Sequence, residues 1–467
     1  MASGRHFTCL HFTPKRYLND CPGVLDGAVS HGIVIGQFCS RNSFTKIHNK
    51  TQDFNSSPIR EKRSMTDTKE DLARREAPCF IYEKEEIVRR CGILKAALPD
   101  VQFLYSVKAN PFDPVVRTIA GEGFGSDAAS SDEVQKSIRA GVPLDRIFYS
   151  APGKTDFDIR SSLGFCVFIA DSIGEVGRIA AIADKAGVRQ KIGIRVNPAF
   201  GIGGAAPAPS KFGIDEEQLP LLFQIVRNLK SVEVTGIHIH LKSQMLDAGL
   251  IADYHRKCFD LAERIAKDYG ITVEFVNFGS GIGTVYNDDE EKPVDLTVLS
   301  KAFTEIAAKN RETLKAALYI ETGRFPTCRA GTYYARVVDK KTSRGVTYLV
   351  VTSGLNGFIR PGFAAMAERI AANGAASGLE PFYTTKNEFR IEALPAHPVG
   401  TNETVTIAGN LCTAVDVIAE GITLPTLEVG DLVAVTNAGA YAATLSPTRF
   451  SSHPAPQEFL WEGSRRN

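Results

Sequence analysis

Eight short apolar runs recur between residues 103 and 324, and an amphipathic stretch separates most of them. They are FLYSVKA (103–109), GFGSDAA (123–129), IFYSA (147–151), FCVFIAD (165–171), KIGIRVN (191–197), VTGIHIH (234–240), EFVNFGS (274–280) and ALYIETGR (317–324). Segments such as 131–140 and 173–187 carry the helical period between them. Strands that alternate with helices predict a parallel sheet, and eight of them predict a closed (β/α)8 barrel, which takes about 250 residues. The interval fits that length.

The polar residues cluster where these runs end. Lys108, Asp127, Arg195, His240, Gly279, Glu321 and Arg324 all lie near the C-terminal end of a strand candidate. In a parallel barrel that is the face on which sites are built. After about residue 326 the pattern changes to short strands divided by Gly, Pro and Asn turns: YYARVVDKK, GVTYLVVTSG, FRIEALP, ETVTIAGNL, DLVAVTNAG and EFLW. This predicts an all-β domain over 326–467, which the strand-like PCFIYE (78–83), in the segment 65–90, is placed to join. The barrel is assigned to 91–325.

Residues 1–64 differ from the rest. They hold nine Lys/Arg against four Asp/Glu and no trustworthy period. A targeting segment, a disordered extension and sequence upstream of a start at Met65 all fit them. A net charge of +1 gives no argument for nucleic acid or an anionic membrane. No apolar run approaches the roughly 20 residues of a membrane span. The nine cysteines show neither CxxC pairs nor metal-ligand spacing and read as reduced thiols, so a cytoplasmic protein is expected, with organellar targeting left open.

The residue types at the barrel mouth point to one cofactor. NFGSGIG (277–283) follows a strand, so its backbone N–H groups are candidates for an anion nest, and Arg324 and Tyr441 add phosphate-directed donors. Lys108 ends its strand just before the turn at Asn110-Pro111. A lysine, a phosphate nest, a histidine and a glutamate together suggest pyridoxal 5'-phosphate. The lysine bonds the aldehyde, the histidine stacks on the ring, and the acid keeps the pyridine nitrogen protonated.

The ordered motifs YSVKANP, GSDAASSDEV, APGKT, IRVNP, SKFGI, GIHIHLKSQ, NFGSGIG, ETGR, GNLCTAVD and AGAYAATLS resemble those of the fold-type III pyridoxal-phosphate decarboxylases, across about residues 78–462. That family includes diaminopimelate and ornithine decarboxylases. The resemblance implies a barrel with a C-terminal β domain and a homodimer whose active sites are shared. It implies Lys108 as the cofactor-bonded lysine, His240 as the ring-stacking histidine and Glu321 as the pyridine-nitrogen partner. Asp127 and Arg195 join them in the cofactor site. Ser243, Gly279, Ser280, Gly281, Arg324 and Tyr441 form the phosphate site. Cys412 corresponds to the cysteine that reaches in from the other subunit to protonate the substrate carbanion, with Thr413, Asp416 and Arg360 toward the substrate.

This chain departs from the family's pattern in several places. The family's EPGR is ETGR, Lys242 stands where glycine is usual, and Ser280 replaces the middle glycine of the phosphate turn. The acid usual after the cysteine is Thr413, and the tyrosine expected four residues after Arg360 is Ala364. Arg360, with no acidic neighbour in this reading, favours a substrate whose distal end is anionic or an uncharged conjugate. The expected activity is α-decarboxylation of a diaminopimelate-like or conjugated diamino acid, as in decarboxylases of siderophore and other specialised metabolism. The alternatives are an ornithine or lysine decarboxylase, an amino-acid racemase and an inactive regulatory relative. A racemase of this type would carry arginine at the pyridine nitrogen, where this chain has Glu321.

Overall fold

The computed structural model describes residues 68–371, 381–382, 387–397 and 400–463, without the side chains of 368–371. The expectations for residues 1–64 lie outside the described residues. Eight parallel strands close into a barrel: Gln102–Ser106, Gly125–Ala128, Ile147–Tyr149, Val167–Ala170, Gln190–Asn197, Val232–His238, Phe275–Asn277 and Ala317–Thr322. Val167–Ala170 pairs with Gln190–Asn197, and Ala317–Thr322 pairs back to Gln102–Ser106, so no edge remains. All eight expected strands are present.

What fills this barrel follows from the two-residue period of a strand. The floor is an apolar cluster of Leu104, Phe148, Ile169, Phe275 and Tyr319. Rings cannot come from every strand at one level, and three strands contribute glycine instead. A Cβ on Gly236 would lie 1.9 Å from the Phe275 ring, one on Gly193 2.5 Å from Ile169, and one on Gly125 2.7 Å from Leu104. Two positions further along each chain stands a polar residue: Ser106, Asp127, Ser150, Asp171, Arg195, His238, Asn277 and Glu321. All eight are buried.

A second, mostly β region surrounds the barrel's C-terminal mouth. Its sheet runs in the order Ile391–Leu394, Leu432–Val435, Gly331–Ser343, Val346–Val351, Asn402–Ala408, Val417–Pro425. The strand Cys79–Glu83 pairs antiparallel with Gly331–Ser343 and parallel with Gln457–Trp461. The helix Lys69–Glu76 packs Leu72 and Ala73 against Cys79, Ile81 and Tyr334. Two elements were not expected: the strand Val417–Pro425, turned at Gly421, and the helix Arg360–Ala371. The region is the expected β domain with that helix added. Among the described residues no helix is long and apolar enough to cross a membrane, and the six cysteines there, five buried and Cys412 exposed, are all free thiols.

Gly236→Ala drives a methyl into the Phe275 ring. It should lower stability by about 1–3 kcal/mol, the usual cost of overpacking a tight core. Phe275→Leu in the same chain should restore most of the loss in urea or thermal unfolding. A single variant as stable as the wild type would contradict this account of the floor.

Candidate active site

Lys108 lies on the 3-10 turn Val107–Ala109 that caps the strand Gln102–Ser106. Its Nζ is 3.0 Å from Asp127 Oδ2. Its side chain is 45 % exposed, while that of Asp127 has no exposure at all. Asp127 is satisfied on both oxygens: Ser106 Oγ donates from 2.9 Å, and Ser150 Oγ donates to the other oxygen. Burial alone would push the Asp127 carboxyl up, but Lys108 and these hydroxyls outweigh it and hold it below the usual carboxylate range. Burial likewise opposes charge on Lys108, and Asp127, Tyr441 and Glu321 outweigh it, so the ammonium is held above its ordinary value.

Glu321 sits near the end of the strand Ala317–Thr322 and accepts from Asn277 Nδ2 at 2.9 Å. His238 Nε2 lies 3.2 Å from the same carboxyl. Burial, helped by the charge of Asp127, pushes Glu321 up to about 7. His238 is held well below its ordinary value by burial and by Arg195. The imidazole is therefore neutral.

His240 follows the strand Val232–His238. Its Nδ1 accepts the Ser280 N–H at 2.9 Å, which puts the ring proton on Nε2, 3.3 Å from Ser243 Oγ. Burial, then the charges of Arg195 and Lys108, lower it to about 3. The Ser280 amide is thus engaged by a side chain, a correction to the reading of that N–H as part of an anion nest. Gly279 has φ +66°, and a Cβ there would lie 2.6 Å from His240, so only glycine lets the turn pass beneath the imidazole. Gly281 O accepts from Met245 N at 2.9 Å, and Gln244 pairs with both backbone groups of Thr284, which staples the glycine turn to residues 244–245.

The mouth is roofed by a turn of the second region. Tyr441 N donates to Ala109 O at 2.8 Å, and Asn110 Nδ2 donates to Gly439 O at 3.0 Å. The Arg324 guanidinium lies 4.5 Å from the centre of the Tyr441 ring. One cavity is lined by Lys108, His240, Ser243, Ser280, Glu321, Arg324 and Tyr441, together with Ser106, Gln244, Ile282 and Gly323. Asp127 contacts it through Lys108. Arg195 stands behind it, donating to His240 O at 3.3 Å, lying 3.8 Å from Asp171 and covered by the Phe212 ring at 4.5 Å.

These residues fit pyridoxal phosphate: an amine faces the cavity, a buried carboxyl lies across it, and hydroxyl and guanidinium donors surround a glycine turn that no Cβ obstructs. Missed in the sequence were His238, Asn277, Ser106 and Ser150. The period-2 signal was there: His238 precedes His240 by two, and Ser106 precedes Lys108 by two.

Three expected substrate residues lie elsewhere. Asp416 is buried and accepts the backbone N–H groups of Leu355 at 2.6 Å and Leu411 at 2.8 Å. Each carboxylate oxygen thus accepts a backbone amide and ties two loops together, in place of the substrate contact expected of it. Arg360 is fully buried and paired with Glu388 at 2.9 Å, so the expectation of an arginine without an acidic neighbour is overturned. Thr413 is half-buried and Cys412 exposed, on the segment before Val417–Pro425, and neither lines the cavity of its own chain.

The Glu321 environment has a measurable consequence. Its carboxyl rises from 4.5 to about 7 on folding, so it contributes stability that is complete below pH 4.5 and lost as pH rises through 7. In the cofactor-free protein, Glu321→Gln should therefore gain on the wild type in thermal midpoint between pH 4.5 and 7.5. Parallel pH profiles would contradict the shift.

The chain resembles known proteins along most of its length. It is 29% identical over 397 residues to the L-glutamyl-[BtrI acyl-carrier protein] decarboxylase of Niallia circulans, covering 82% of this chain and 89% of that one. It is 27% identical to the 2-[(L-alanin-3-ylcarbamoyl)methyl]-2-hydroxybutanedioate decarboxylase of Staphylococcus aureus, covering 82% and 93%. The crystal structure of diaminopimelate decarboxylase from Helicobacter pylori complexed with L-lysine shares the fold, with a TM-score of 0.70, 23% identity and coverage of 83% and 92%. Residues 84–328 match the pyridoxal binding domain of the pyridoxal-dependent decarboxylases. Because that match spans more than half of the chain, the chain belongs to this family of carboxy-lyases, which act on amino acids with pyridoxal 5'-phosphate.

Proposed function

We propose that this decarboxylase removes the α-carboxylate of an amino acid whose distal end is acylated or carboxylate-bearing rather than a free ammonium. The observation that carries the reading is the charge inventory of the cavity. Glu321 is the one acid among its lining residues, and it is held by Asn277 with the neutral His238 ring 3.2 Å away. A distal ammonium needs a buried carboxylate partner, and an unpaired buried charge costs several kcal/mol. Thr413 offers none, Asp416 is committed to backbone amides, and Lys242 stands exposed between His240 and Ser243. Two relatives are named for conjugated substrates, a carrier-bound glutamyl group and a carbamoylmethyl-linked hydroxybutanedioate.

Pyridoxal phosphate supplies, when bound, an aldehyde that takes up amines and a ring that accepts the electron pair left by departing CO2. The chain's own residues do the rest. Asp127, kept charged by Ser106 and Ser150, aims the Lys108 amine into the cavity. Glu321 is the group that would hold a proton at the ring nitrogen, and the Asn277 amide bonded to its Oε1 keeps the carboxyl in place. Neutral His240, with its proton on Nε2, presents an uncharged face for stacking. Ser243, Gly281, Arg324 and Tyr441 would hold the phosphate, while Gly279, whose N–H donates to Asn277 Oδ1 at 2.9 Å, shapes the turn. The roof turn, bonded to Ala109 and Asn110, fixes the backbone on either side of the end of the lysine's turn.

We further propose a homodimer in which Cys412 of the partner subunit delivers the proton to Cα. An exposed thiol that does not line its own cavity supports this reading.

Release of CO2 measured across L-ornithine, L-lysine, diaminopimelate, a γ-glutamyl conjugate and a citryl conjugate of diaminopropionate tests the substrate class. At least one carboxylate-bearing or conjugated substrate should exceed L-ornithine in kcat/KM by about 100-fold, the discrimination expected when a buried charge is left unpaired. Efficient turnover of L-ornithine or L-lysine would refute this reading.

A further inference from the structure

Arg360 opens the helix Arg360–Ala371, and its guanidinium is spent entirely within the chain. Nη2 donates to Glu388 at 2.9 Å, Nη1 to Ala440 O at 3.1 Å and to Tyr286 Oη at 3.4 Å, and Nε to Phe382 O at 3.3 Å. The rings of Phe389 and Tyr286 lie 5.0 and 5.3 Å from it. Ala364, where a larger side chain was expected, packs with Ala367 against Phe389 and leaves room for this arrangement. An arginine fork holds several acceptors at fixed angles, which a lysine ammonium cannot do.

One of those acceptors matters for the active site. Ala440 precedes Tyr441, whose backbone is left-handed at φ +54°, a conformation that a bulky residue keeps only when its surroundings impose it. The same tyrosine donates its N–H to Ala109, the residue after Lys108. Hydrogen bonds therefore connect Arg360 through Ala440 and Tyr441 to the lysine-bearing turn. We propose that Arg360 is a positioning residue of the decarboxylase: through Ala440 it holds Tyr441 in its strained conformation, and so fixes the phosphate donor and the roof over Lys108. The inference rests on the reading of Tyr441 as a cofactor-phosphate ligand.

The test uses the full chain titrated with pyridoxal phosphate, with the dissociation constant read from absorbance, and kcat, KM and thermal midpoint measured alongside. Arg360→Lys keeps a cation beside Glu388 but loses the fork. It should weaken cofactor binding about tenfold, the equivalent of one buried hydrogen bond to a charged donor, with KM unchanged. Glu388→Gln leaves the bond to Ala440 in place and should lower the thermal midpoint while changing cofactor affinity less than about twofold. Should either single variant fail to fold, Arg360→Gln/Glu388→Gln buries no unpaired charge and should show the same tenfold loss. Equal cofactor loss in Arg360→Lys and Glu388→Gln at equal loss of stability would reduce Arg360 to a structural role and overturn the proposal. A raised KM with intact cofactor affinity would make it a substrate contact and overturn it as well. Tyr441→Phe separates the two layers of the argument: unchanged cofactor affinity in that variant refutes the phosphate reading itself, whatever Arg360 does.

Discussion

The ring of Phe275 lies where a Cβ on Gly236 would otherwise be, and the rest of the site stands on that contact. A closed eight-stranded barrel must fill its interior with side chains. Here large residues from five strands interlock with glycines from the other three to make a dry floor. Side chains alternate along a strand, so whatever occupies the next inward position is sealed below and open only toward the mouth. Every strand puts a polar residue there. Buried from water, several of these groups pair with their neighbours: Asp127 with Ser106, Ser150 and Lys108, and Glu321 with Asn277 beside His238. The site's charge pattern is thus a consequence of how the barrel is filled.

The second constraint comes from above. Residues 439–441 belong to the outer region but hydrogen-bond to Ala109 and Asn110, on either side of the end of the lysine's turn. The lysine is therefore gripped from two sides, by Asp127 from within the barrel and by the roof on its backbone. A loop lysine so restrained loses little entropy when its amine reacts, which is the advantage of a preorganised site. Glu321 is tuned in the opposite direction from Asp127: it accepts one amide donor and faces a like charge, so its carboxyl is raised while that of Asp127 is lowered. Two buried carboxyls in one barrel mouth thus take different protonation behaviour from their neighbours.

Much of this was legible in the sequence, because strand length, turn residues and the placement of polar groups at strand ends are local signals. That pattern marks the barrel strands, and it marks Lys108, His240, Glu321, Arg324 and Tyr441, which share one cavity. The floor was not read. Nothing local explains Gly193 and Gly236 inside their strands; their closeness to Ile169 and Phe275, far away in sequence, does. His238 and Asn277 were hidden inside runs judged apolar. Arg360 was misjudged for a related reason: its partner Glu388 lies 28 residues away, so an arginine that appeared to await a substrate carboxylate already holds one from its own chain. Asp416 similarly looked available until its two amide partners were seen. Local sequence carries the period of a strand well, but it does not carry which buried charges have met.

The central claim is that the barrel mouth directs Lys108, and no other lysine, to the cofactor. Borohydride reduction of the cofactor-loaded protein, followed by peptide mass mapping, tests it most directly. The account predicts a single pyridoxyl group on the peptide bearing Lys108, at one equivalent per chain, and no labelling in Lys108→Ala. A label of the same yield on Lys154, Lys211 or Lys242, or one that persists in Lys108→Ala, would contradict it.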